Sequence, residues 1–157
     1  MKTLHHIRRY FWLSVILLST MCLLIPVVPA TIQNETEETV WSTVVAIAFW
    51  LLAAAGCWTI ISANAHRKQY VTEKFGKHTP TTFPPGAFCF FSNPLATVAD
   101  LSVAVMGIGF VIAVNTPLQD TYFVVVLLSL FIWAVLMHCL FNSRTFRVIQ
   151  KKTKERK

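Results

Sequence analysis

Four long apolar runs, Phe11 to Ala30, Val40 to Ala63, Leu95 to Val114 and Tyr122 to Phe141, hold between them one charged residue, Asp100. A carboxylate within a membrane span costs about 2.5–3.5 kcal/mol on insertion scales at the bilayer centre, so it faces protein or water. Two chemistries are open to it. It could bind a proton or cation, or it could anchor a hydrogen-bond network that holds helices together. Ala96, Asp100, Ala104 and Gly107 recur at i, i+4, i+8 and i+11, which places them on one helical face. Small residues on that face let another helix approach closely, so it is expected inside a bundle.

His138 is the only histidine within the runs and lies near the end of the fourth. Whether it can pair with Asp100 depends on where the chain turns between the last two runs. A turn near Leu118 puts the two at almost the same height. If Thr116 caps the fourth helix instead, His138 lies roughly 10 Å deeper at ~1.5 Å per residue, and the pair fails. Arg67 or Lys68, reaching back from the end of the second run, are then the next ion partners for Asp100.

Other chemistry is poorly represented. Cys22, Cys57 and Cys139 lie in apolar runs and Cys89 in the middle connection, with no C-x-x-C, so free thiols are expected. The runs contain no second carboxylate for aspartyl-type proteolysis and no second histidine for a haem. No glycine-rich phosphate loop or metal-ligand cluster is present, and neither cofactor nor metal is expected.

The elements that position these residues follow from composition. The 157 residues are 55% hydrophobic and 13% charged, where a soluble domain is about a quarter charged. That balance excludes an ordinary soluble enzyme, a disordered chain and a nucleic-acid-binding domain. Each run has the ~20 apolar residues that a membrane-crossing helix requires. The fold class is therefore all-α, a four-helix transmembrane bundle forming one domain.

The net charge of +7 is unevenly placed. All fourteen Lys and Arg lie before residue 11, in the middle connection 64–94 or in the tail 142–157. The other two connections carry only acidic charge, Glu35, Glu37, Glu38 and Asp120. By the positive-inside rule both termini and the middle connection are cytoplasmic, in a plasma or inner membrane. A secretory signal ending at Val28-Pro29-Ala30 is the rival reading of the start, but the first run exceeds the 7–15 residues of an ordinary signal core. It is read as an uncleaved span.

Punctuation marks the helix ends. Asn34 and Glu37 have capping-box spacing, and the second helix should run from near Glu35 towards Gln69. Asn93-Pro94 opens the third helix, and Thr116-Pro117 with Gln119 is read as opening the fourth. Pro26 and Pro29 should bend or end the first. The middle connection splits into a basic part extending the second helix to Gly76 and a Pro/Phe-rich part containing Phe83, Phe88, Phe90 and Phe91. The latter is read as a cytoplasmic interfacial loop lying on the membrane, with a lid or partner-docking loop as the alternative. In the tail, Arg144, Arg147, Lys151 and Lys152 are read as contacts to anionic lipid headgroups. The repeated aromatics of a single-strand nucleic-acid binder are missing there, and no nucleic acid is expected.

The function expected first is a non-enzymatic accessory or regulatory subunit, packing with a membrane-protein partner or with further copies of itself. The alternative is a small oligomeric proton- or cation-coupled transporter using Asp100. A membrane enzyme acting on lipid, with Asp100 and His138 as acid and base, comes third. The orientation has a direct check: a reporter that fluoresces only in the cytoplasm should be bright when fused after Lys157 and dark when fused after Gln119.

Overall fold

A computed structural model describes residues 2–27, 38–75, 91, 93–116 and 121–154. Among them are five helices: α1 (Lys2–Leu24), α2 (Glu38–Phe75), α3 (Pro94–Asn115), α4 (Thr121–Phe141) and α5 (Arg144–Lys154). The first four are long and apolar enough to cross a membrane. Helices are the natural solution for such segments, because each satisfies its backbone internally where the solvent offers no hydrogen bonds.

The boundaries follow local chemistry. α1 continues back through the basic start and closes in a turn before Pro26, with Ile25 N donating to Cys22 O at 3.2 Å. α2 is 38 residues long, about 57 Å at 1.5 Å per residue, against a hydrocarbon core of about 30 Å. Its far end is therefore a polar extension, where Gln69 Nε2 donates to Glu73 Oε1 one turn on at 2.9 Å. α3 opens as its sequence predicts, with Asn93 at the N-cap accepting from Ala96 N at 2.9 Å and Pro94 in the first turn.

Thr116 closes α3 in an extended conformation (φ −101°, ψ 150°), and α4 is described from Thr121. Residues 117–120, on which the expected Thr116-Pro117 opening of α4 rests, lie outside the described residues. The tail, to which no helix was assigned, forms α5, capped by Ser143, whose Oγ accepts from Phe146 N at 3.2 Å. The expected caps at Asn34 and Glu37, the break at Gly76, Pro29 and the Pro/Phe-rich stretch up to Phe90 lie outside the described residues.

The helices form two antiparallel hairpins, α1–α2 and α3–α4, joined through α1 and α4. Their spatial order is α2–α1–α4–α3, with no substantial contact between α2 and α3 among the described residues. The arrangement is thus an open row rather than a closed four-helix square. Burial follows: a larger share of the apolar stretch is buried in α1 and α4 than in either edge helix. Outward side chains of the edge helices include Trp50, Trp58, Val105 and Ile108.

Close approach holds each hairpin. A Cβ on Gly56 of α2 would stand 2.7 Å from Leu18 Cδ2, and one on Gly107 of α3 would stand 3.1 Å from Phe131 Cε2. Dispersion at such contacts drives helix association in lipid, where burial against apolar tails gains little. Between the hairpins, Ser129 Oγ donates to Cys22 O at 2.6 Å and Trp133 Nε1 donates to Ser19 Oγ at 2.9 Å. At the opposite, basic end, Phe11, Phe141 and Phe146 join α1, α4 and α5, with ring centroids 5.1–6.1 Å apart.

Gly56→Leu should therefore destabilise the α1–α2 hairpin by about 1–3 kcal/mol through overpacking. Thermal unfolding in detergent reads the loss, and Gly109→Ala, where the nearest side-chain atom is 4.0 Å from the new Cβ, should leave the midpoint nearly unchanged.

Candidate functional site

Asp100 lies two turns into α3, and helical side chains lean towards the N-terminus of their helix. The carboxylate therefore points back to the basic end, where α4 finishes. Its Oδ2 accepts from the backbone N–H of Phe91 at 2.7 Å. Its Oδ1 accepts from His138 Nδ1 and from Asn142 Nδ2, the latter at 3.1 Å. The residue is 7% exposed and His138 9% exposed. An ionised carboxylate only accepts, and in that state of Asp100 the shared hydrogen is the one on His138 Nδ1.

Asn142 completes the arrangement. Its Nδ2 has two hydrogens, one for Asp100 Oδ1 and one for His138 O at 3.1 Å. The 3.2 Å approach of Asn142 Nδ2 to His138 Nδ1 is then a contact between two donors that share one acceptor oxygen. A second asparagine works alongside: Asn93 caps α3 through Oδ1 and donates through Nδ2 to Phe141 O at 3.2 Å. Arg147 Nη2 lies 3.4 Å from Asn142 O. The last carbonyls of α4, which an isolated helix would leave without partners, are thus bonded largely by α3 and the turn into α5.

Asp100 and His138 do pair, so the two side chains stand level across the α3–α4 hairpin. Phe91 occupies the left-handed region at φ 59°, which costs an ordinary side chain of order 1 kcal/mol. The bond from its N–H to Asp100 helps hold that turn.

Other candidate residues lie elsewhere. Arg67 and Lys68 are on edge helix α2, and neither is among the groups bonded to Asp100. Among the described residues Arg67 Nε is shielded from solvent and meets no hydrogen-bond acceptor. Arg144 is exposed and Arg147 partly buried at the start of α5; Lys151 and Lys152 lie in its last turn. The buried residues of α5, Thr145, Phe146, Val148 and Ile149, face the protein. The small-residue face of α3 is only partly as expected. Ala96, Ala99, Asp100 and Ala113 are buried but Ala104 is exposed. Two successive steps of four residues turn a helix by about 80° at 3.6 residues per turn, enough to carry Ala104 off the seam.

Cys22, Cys57 and Cys139 are free thiols. No group of three His, Cys, Asp or Glu among the described residues could hold a metal ion. Compared with protein families, characterised proteins and solved structures, the chain matches none. Its function must be argued from the geometry.

Sequence reasoning missed Asn142, although its position is legible: it follows His138 by four residues, on the same face one turn later. The Phe91 N–H carries no side-chain signal and could not have been found. Breaking the buried pair should cost several kcal/mol, of order 3–5 for loss of one partner. A double-mutant cycle with Asp100→Ala and His138→Ala, read by unfolding in detergent, should give a coupling of about 1–3 kcal/mol.

Proposed function

We propose that this chain is a non-enzymatic accessory or regulatory subunit of a cell-membrane complex, working through helix packing, with both termini in the cytoplasm. The observation that carries this reading is the state of Asp100. Both carboxylate oxygens are already bonded, by Phe91, His138 and Asn142, and the side chain is 3% exposed. A carboxylate bonded in this way acts as a fastener between α3 and α4. The open row adds support, since among the described residues each edge helix has a flank that no other helix covers. In this reading a partner helix, or a second copy, packs there. Arg144, Arg147, Lys151 and Lys152 contact anionic headgroups at the inner surface.

The second reading is proton- or cation-coupled transport through Asp100, in an oligomer. One observation favours it: two titratable groups, Asp100 and His138, share a buried contact within the spans, and such groups commonly form proton relays.

Two measurements separate the readings. Mild solubilisation should recover the wild-type chain with a stoichiometric partner or as a defined oligomer. Asp100→Asn should retain that association, weakened in proportion to any loss of fold, while leaving proton flux in reconstituted vesicles at the wild-type background. A wild-type flux that disappears in Asp100→Asn, with the fold intact, overturns the accessory reading in favour of transport.

A further inference from the structure

We propose that the cleft between α2 and α4 at the basic end is a binding site for an anionic phospholipid, its phosphate on Arg67 and Arg144 and an acyl segment in the cleft. This goes beyond the accessory reading and requires only that the four spans lie in a bilayer. The cleft has a volume of about 160 Å³ and is lined chiefly by Phe11, Ile60, Ala63, Cys139 and Leu140. That volume is close to the ~150 Å³ of an apolar cavity that stays dry and takes up a small hydrocarbon. The polar groups on its wall are largely engaged already. Ser14 Oγ donates to Phe11 O at 2.6 Å, and Thr145 Oγ1 donates to Asn64 Oδ1 at 2.7 Å across the basic end of the cleft.

Charge at that rim is unbalanced. Arg67 stands one turn beyond Asn64 on α2, and Arg144 lies between two wall residues, Ser143 and Thr145. The Asn64–Thr145 bond sets the stretch of α2 that carries Arg67 against the start of α5 that carries Arg144, so two cations share one rim. Arg67 Nε is shielded from water with no acceptor among the described residues. Arg144 also occupies the first turn of α5, where the helix dipole disfavours a cation. No described carboxylate relieves any of this: Glu73 bonds Gln69, Asp100 bonds α4, and Glu38 is at the other end of α2. A phosphate supplies several acceptor oxygens and negative charge at once, and guanidinium groups bind it with matched geometry. A zwitterionic headgroup would bring its own cation towards two arginines, so an anionic lipid is favoured. An apolar cleft opening beside that pair then distinguishes a tethered phosphate from a free one.

The test uses the full-length protein in detergent, offered phosphatidylglycerol, phosphatidylcholine or inorganic phosphate, with retention read by native mass spectrometry. Wild type should retain phosphatidylglycerol selectively. The Arg67→Gln/Arg144→Gln variant should lose at least about tenfold in apparent affinity, while Arg8→Gln/Arg9→Gln, at two exposed residues of α1, stays near wild type. Cys139→Leu, which keeps every charge and fills the cleft, should weaken retention by itself and serves as the second probe if the Arg67/Arg144 variant does not fold. Unchanged retention in the Arg67/Arg144 variant overturns the proposal, as does an equal loss in the Arg8/Arg9 variant, which would indicate diffuse attraction to basic surface. Complete displacement of lipid by inorganic phosphate, or indifference to Cys139→Leu, removes the acyl half and overturns the lipid as ligand.

Discussion

A carboxylate in a span has no solvent to fall back on, and most of the order at the basic end follows from supplying Asp100 with donors. A backbone N–H from the turn before α3, an imidazole N–H from α4 and an amide N–H from Asn142 meet on two oxygens. The donors come from both sides of the hairpin, the turn before α3 and the end of α4, so satisfying the charge also sets the height of α3 against α4. The hairpin turn, the end of α4 and the entry into α5 are then no longer independent. The desolvation cost that makes an intramembrane charge rare is the same cost that makes its bonds specific: any shift in register leaves a buried donor or acceptor unmatched.

The rest of the architecture has weaker means. Between lipid and protein there is little hydrophobic gain, so helices adhere by close contact and a few hydrogen bonds, each worth about 0.6 kcal/mol on average. Gly56 against Leu18 and Gly107 against Phe131 supply the contact within hairpins. Ser129 with Cys22, and Trp133 with Ser19, supply the bonds between them. With such forces nothing compels four helices to close into a square. A row leaves α2 and α3 with lipid-facing sides that cost little in a bilayer, which is why large exposed apolar residues concentrate on those two helices.

Much of this was legible because the strongest constraints are local or compositional. The four long helices follow from runs of ~20 apolar residues, and Asn93-Pro94 marks the start of α3 within a residue. Asp100 stands out as the one charge in those runs. What escaped was set by contacts between distant segments. The row order depends on which faces meet, and apolar faces in lipid carry no periodic signal: α3 and α4 are hydrophobic nearly all round. Helix α5 was hidden by its lysines, although Phe146 and Ile149 at i, i+3 mark an apolar face.

Polar structure is concentrated at one end of the molecule. The Asp100 network, the Asn93 clamp, the Asn64–Thr145 bond and the stacked rings of His6, His66 and Tyr10 all lie at the basic end. Away from that end, the two hairpins share only the bonds of Ser19, Cys22, Ser129 and Trp133 among the described residues. Helix α5 packs against α1, α2 and α4 together, so it bridges both hairpins from beneath. Because α5 follows α4 through Asn142 and Ser143, the Asp100 network fixes the base from which it crosses to the other hairpin. Helix α5 therefore adds to the direct contact of α1 with α4 a second link between the hairpins, one that starts at the Asp100 network.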